Sequence, residues 1–183
     1  MNIEIVNFLE KGKTILYPTD TVWGLGCDAT NEKAVQKIYQ LKNREESKSL
    51  IVLVDSIEML QNYVGSISPK IFTILQDSKK PTTIIYKQPT GLAKNTIAAD
   101  NTIAIRIPED DYCRDLIRQF GKPIVSTSAN RSGSPTPKCF AEIAPAILET
   151  VDYIVNLRQD EIASKSSTIL RVNENDEIEV LRD

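Results

Sequence analysis

Apolar residues recur along this chain in two rhythms. A helical rhythm links Ile3, Val6 and Leu9, with Gly12 placed to cap the C-terminal end, and predicts a short opening helix. It returns in Ala34, Val35, Ile38 and Leu41, behind Asn31 as N-cap and Glu32 in the first turn. Ser68-Pro69 reads as an N-cap with proline at the first helical position, and Ile71, Phe72 and Leu75 form the stripe behind it. Tyr112, Leu116, Ile117 and Phe120, stopped by Gly121, predict a further amphipathic helix, and Phe140 to Leu148 is expected to be helical.

The second rhythm is that of strands. Thr14 to Tyr17 ends at Pro18, and Trp23 to Cys27 contains two glycines that allow close backbone approach. Leu50 to Val54 is a continuous apolar run between polar residues, the pattern of a buried strand. Thr82 to Tyr86, Thr102 to Ile107 and a strand opened by Ile124 and Val125 follow. Tyr153 to Leu157, Thr168 to Val172 and Ile178 to Leu181 are the closing candidates. Strands and helices interleave, with a strand-rich end, so the pattern predicts an α/β fold: a mixed, twisted sheet covered by helices. No repeat, low-complexity stretch or linker divides the chain. Its 183 residues suit one domain spanning 1–183.

Composition narrows the chemistry. The chain has no histidine, which excludes Ser-His-Asp hydrolysis, Cys-His catalysis and histidine-ligated metals together. Cys27, Cys113 and Cys139 are odd in number and far apart, which argues against a disulfide framework and a paired-cysteine zinc site. The net charge of -3 is unlike that of a dedicated nucleic-acid-binding domain, although a local basic groove stays possible. No apolar run reaches the roughly 20 residues of a membrane helix. The opening MNIEIVNFLEKGK has no basic start and carries Glu4 within its apolar stretch, so it is not a signal peptide; the cytoplasm is the expected location.

Three polar stretches remain. Tyr17-Pro18-Thr19-Asp20-Thr21 precedes the glycine-spaced strand and is compatible with an ordinary turn. Lys42, Arg44 and Lys48 place three cations within seven residues past a helix end, where they complement the helix dipole or converge on a polyanion. Ser126-Thr127-Ser128-Ala129-Asn130-Arg131-Ser132-Gly133-Ser134 follows abruptly on an apolar strand. It reads either as a flexible loop or as short hydrogen-bonding groups at a strand end, where α/β sheets bind ligands.

Together these stretches, with Lys48-Ser49-Leu50, Ile105-Arg106-Ile107-Pro108 and Ser167-Thr168, give six motifs in order. In them the chain resembles the YrdC/TsaC family, the threonylcarbamoyl-AMP synthases, from Lys13 to Arg182. The resemblance implies a YrdC-like twisted mixed sheet flanked by helices, with a concave, positively lined cavity. It implies a nucleotidyltransferase that makes threonylcarbamoyl-AMP and pyrophosphate from L-threonine, bicarbonate or CO₂, and ATP. Partner proteins would then pass the threonylcarbamoyl group to tRNA. Residue by residue, Lys42, Arg44, Ser128 and Asn130 match the family's catalytic pairs. Arg44, Lys48, Thr102, Ser128, Thr136 and Arg182 match its ATP positions, and Thr21, Arg106, Ser126 and Ser167 its threonine positions. Mg²⁺ would arrive with ATP, held by phosphate and water, with no protein ligand named.

Departures from the family carry expectations of their own. Leu53 stands where many relatives have histidine, so a polar role there is lost. Trp23 replaces a common tyrosine or phenylalanine and is expected to offer an aromatic wall. The glycine-containing tail of relatives has no counterpart after Arg182, so that side chain is expected to be frayed, and the short form without the second domain of longer relatives is expected. Lys42 and Arg44, being past the helix, are expected to be exposed. Two other readings share some of the residues. One is a module that binds double-stranded RNA or tRNA through the same basic cavity. The other is a carbamoyl-adenylate domain of a hydrogenase-maturation protein, which normally lies in a longer chain with zinc-finger cysteines.

Overall fold

The computed structural model describes residues 3–45, 50–163, 165–173, 175 and 177–183. The helices are α1 (Ile3–Glu10), α2 (Glu32–Lys42), α3 (Ile57–Val64), α4 (Pro69–Asp77), α5 (Asp111–Phe120) and α6 (Pro145–Leu148). The strands are β1 (Ile15–Tyr17), β2 (Gly24–Gly26), β3 (Ile51–Leu53), β4 (Thr82–Lys87), β5 (Thr102–Arg106), β6 (Ile124–Ser128), β7 (Tyr153–Ile154), β8 (Thr168–Val172) and β9 (Ile178–Arg182). They form one mixed sheet in the order β7-β1-β2-β6-β3-β5-β4-β8-β9. No helix among the described residues is long and apolar enough to cross a membrane.

Strand alternation gives the sheet two faces. On one, Val52 pairs with Val125 and Ile105, and Ile105 with Ile84. These join Leu16 and Leu25 in the larger core, closed by Ala34, Val35, Ile38 and Tyr39 of α2 and Leu60 of α3. Each fully buried aliphatic side chain there contributes about 1.5–3 kcal/mol. The other face divides along its length. At one end Ile15, Tyr17, Leu53 and Ile124 pack beneath α1 and α5, against Leu9, Cys113, Leu116 and Ile117. Further along β6 the same face carries Ser126 and Ser128, and β5 carries Ala104.

Two glycines fit β2 to this arrangement. A Cβ on Gly26 would lie 2.7 Å from Tyr17 Cε1 and 2.7 Å from the Val125 carbonyl oxygen. One on Gly24 would meet Ser126 Oγ at 3.2 Å and Tyr17 Cε1 at 3.3 Å. The Tyr17 ring lies over both, fully inside the protein.

The structure alters several expectations. α1 buries Ile5 and Leu9, while Ile3 is 59% exposed, because the stripe facing α5 runs through positions 5 and 9. α4 packs by Ile71, Ile74 and Leu75, leaving Phe72 outward. The expected helix over Phe140–Leu148 is a 3₁₀ turn at Phe140–Glu142 and then α6. Pro145 explains the break: it disfavours helical geometry in the residue before it, and Ala144 is extended at φ -60, ψ 136. α3 had no expectation, although Ser56 caps it by accepting from the Met59 N–H at 3.1 Å. β7 is only two residues long, though the Val155 N–H still reaches the Leu16 carbonyl at 2.9 Å.

Candidate active site

A cavity of about 330 Å³ opens on the uncovered part of the second face. Ile51, Ala104 and Ile85 form its apolar floor, side by side on β3, β5 and β4. Arg44, Arg106 and Arg182 border it, and no carboxylate does among the described residues. Thr21, Ser126, Ser128, Thr136 and Ser167 supply hydroxyls.

Arg44 reaches the cavity because of how α2 ends. Asn43 adopts the left-handed conformation at φ 47, and its N–H bonds back to the Gln40 and Tyr39 carbonyls. The Arg44 N–H also bonds the Tyr39 carbonyl, at 3.0 Å. Asparagine tolerates this cap and turns the chain sharply.

Lys42 departs from expectation. It is the last residue of α2 and only 2% exposed. Its ammonium donates to the carbonyls of Ser128 and, at 2.6 Å, of Asn130. Its own carbonyl accepts from the Ser132 N–H at 2.7 Å. Burial, and then the nearby Arg44 charge, push its pKa down to about 8. Lys42 therefore ties the helix end to the chain leaving β6 rather than facing solvent. Asn130 serves that same turn. Its amide donates to the carbonyls of Arg131 at 3.2 Å and Ser134 at 2.6 Å, while its Oδ1 is buried without a partner.

Arg106 is 3% exposed. Nη1 pairs with Asp20 Oδ1, Nη2 donates to Thr21 Oγ1 at 3.4 Å, and Nε is buried without a partner. Thr21 Oγ1 lies 2.9 Å from Thr19 Oγ1, which donates to the Val22 carbonyl at 2.7 Å. Ser167 lies 2.8 Å from Thr83 Oγ1, oxygen to oxygen. Arg182 is not frayed: Nε and Nη2 donate to the Ser167 carbonyl at 3.1 and 2.8 Å, and Nη2 also reaches Ser167 Oγ at 3.2 Å. Burial, then the charge of Arg106, lowers its pKa. Two guanidiniums that oppose each other's charge favour an anion between them.

The cavity thus gathers Thr21, Arg44, Arg106, Ser126, Ser128, Thr136, Ser167 and Arg182. Lys42 and Asn130 do not border it; they brace the turn behind Ser128. Thr102 borders an adjoining cavity of about 650 Å³ and donates to Asp100 Oδ1 at 2.6 Å. Lys48 lies outside the described residues. Trp23 is not a wall of the main cavity. It is 3% exposed, packs on Phe140 with ring centroids 5.0 Å apart, and borders a smaller pocket with Asp20. Leu53 is buried in the core beneath α1 and α5. Of the polar stretch over residues 126–134, only Ser126, Thr127 and Ser128, the end of β6, reach the cavity, joined by Thr136 beyond it. From the sequence Asp20 reads as a turn residue, and its place between two threonines after a strand is the signal that marks it. No group of three potential metal-ligating side chains occurs among the described residues.

Comparison with known proteins supplies the remaining findings. A family model described as Sua5_yciO_yrdC, telomere recombination, matches residues 7–183. A protein of Methanocaldococcus jannaschii named putative threonylcarbamoyl-AMP synthase is 35% identical, over 98% of this chain and 86% of its own. The threonylcarbamoyl-AMP synthase of Pseudoalteromonas translucida is 36% identical over 82% of both chains. Among solved structures, P. abyssi Sua5 complexed with L-threonine superimposes with a TM-score of 0.86 at 26% identity. That match covers 98% of this chain and about half, 52%, of the Sua5 chain.

Proposed function

Because this chain belongs to the Sua5/YciO/YrdC family, we propose that it is a threonylcarbamoyl-AMP synthase, a nucleotidyltransferase acting in the cytoplasm as one domain over 1–183. Its substrates are L-threonine, bicarbonate or CO₂, and ATP. Its product is the donor that partner proteins transfer to tRNA. The observation that carries this reading is a single cavity faced by two cation sets: Arg106 from β5, and Arg44 with Arg182 from the turn after α2 and from β9. An amino-acid carboxylate and a polyphosphate both find guanidiniums there.

In this mechanism the threonine amine adds to CO₂ and loses a proton, giving a carbamate. A carbamate oxygen attacks the α-phosphorus of ATP, and the bond to pyrophosphate breaks. The nucleophile is already anionic, so the step calls for alignment and positive charge rather than a histidine base. Arg106 pairs with the threonine carboxylate, and Thr21, Ser126 and Ser167 orient the amino acid. Arg44, Ser128, Thr136 and Arg182 receive the nucleotide, with Thr102 further along the same face and Lys48 as an additional ATP contact. Lys42 and Asn130 belong to the same catalytic group by holding the turn that presents Ser128. The described residues around the cavity offer magnesium hydroxyls but no carboxylate. The ion would be carried by phosphate and water.

Purified protein given ATP, threonine and bicarbonate releases pyrophosphate only when all three are present, and threonylcarbamoyl-AMP is detected by mass. Absence of threonine-dependent pyrophosphate overturns the proposal. The RNA-binding reading is not favoured: Lys42, one of its three cations, is turned inward onto carbonyls.

A further inference from the structure

Asp20 pairs with Arg106 but does not border the main cavity. Arg106 borders that cavity, Asp20 borders the smaller pocket beside it, and Thr21 borders both. The carboxylate is itself held in place. Oδ1 takes Nη1 of Arg106, and Oδ2 accepts from the Glu109 N–H at 3.2 Å. Thr21 Oγ1 takes one hydrogen of Nη2. The guanidinium is therefore fixed along one edge, while Nε, buried and without a partner, stays on the other. A guanidinium binds a carboxylate bidentately along an edge, so the edge held decides which edge is offered.

We propose that Asp20 is a positioning residue for amino-acid binding. It grips Nη1 from behind so that the Nε–Nη2 edge of Arg106 faces the carboxylate of the amino-acid substrate. The inference rests on threonine occupying the cavity and deepens that reading. Asp20 does not compete with the substrate, because it approaches from the neighbouring pocket. It makes no contact with the reacting atoms.

The test is steady-state pyrophosphate release by wild type and Asp20→Asn, with threonine and ATP varied separately. The expected result is a threonine KM raised roughly ten-fold or more. The ATP KM, and kcat at saturating threonine, stay near wild type. A merely structural role lowers kcat through the folded fraction and leaves both KM values alone, and that result overturns the inference. A lowered threonine KM also overturns it, since Asp20 would then be a competitor for Arg106. Should Asp20→Asn leave Arg106 unpaired and fail to fold, Arg106→Gln is compared with Arg106→Gln/Asp20→Asn. Equal threonine KM values support the inference, and a further rise in the double variant overturns it. Wild type with no threonine-dependent turnover defeats the threonine reading itself. Wild-type turnover with an unchanged Asp20→Asn defeats only this inference.

Discussion

Lys42 gives the sharpest test of the structure, through Lys42→Met. Methionine keeps the length and volume of the chain but removes the charge. In the native protein burial and Arg44 hold the ammonium's pKa near 8, against an ordinary 10.5. At pH values between these two, an unfolded chain keeps a proton that the folded chain has released. Stability therefore rises with pH across that window. The full difference is 2.5 pKa units at about 1.36 kcal/mol each, or about 3 kcal/mol. Urea-unfolding free energies of wild type and Lys42→Met from pH 7 to 11 provide the assay. The wild-type minus variant difference should be flat below pH 8, climb by about 1.4 kcal/mol per pH unit, and level off past 10.5. Buried Tyr17, Tyr86 and Tyr112, and Cys27 and Cys113, have pKa values raised by desolvation. They lower the stability of both proteins at high pH and cancel in the difference. At neutral pH the variant sheds that ~3 kcal/mol cost but loses two charge-assisted bonds of about 1.5–3 kcal/mol each, so its net loss is about 0–3 kcal/mol. The Ser128 carbonyl retains the Asn130 N–H at 2.9 Å. Parallel curves for the two proteins across the whole range would refute the reasoning.

Three further outcomes follow from other parts of the structure. Gly26→Ala places a Cβ 2.7 Å from the Tyr17 ring and the Val125 carbonyl, and should cost about 1–3 kcal/mol in chemical denaturation. Burial pushes the Asp152 carboxyl up, but bonds from the Thr14 N–H and hydroxyl and from Lys13 outweigh it and hold the pKa below the ordinary 3.8. That stability is present above pH ~4 and is lost as pH falls through the folded pKa. Asp152→Asn should therefore be less stable than wild type by about 1.5–3 kcal/mol at pH 7 and show a weaker loss between pH 5 and 2. Arg44→Ala should lower kcat/KM for ATP by roughly 10²–10³ while changing the thermal midpoint little, because the side chain is only half-buried.

Much of this protein was legible locally. Asn31 and Ser68 cap helices in the structure as their sequence positions imply, and Leu50, Val52, Leu53 and Val54 are buried, because capping and alternation act over a few neighbours. The six motifs likewise marked most of the polar side chains that meet at the cavity. What they could not convey is which side of a wall a charged group occupies. Lys42 sits one position before a left-handed asparagine and looks like a solvated cation at a helix end. Only the arrival of β6 from 86 residues away supplies the carbonyl that turns it inward. Asp20 reads as a turn residue until Arg106, equally distant in sequence, meets it across the sheet. Arg182 reads as a loose end until β9 pairs with β8 and brings it onto Ser167. The sequence by itself determined most of the element order, much of the cores and the types of group available, since each follows from local pattern and burial. The tertiary structure decided which cations face the cavity and which brace it, because that depends on register between strands distant in the chain.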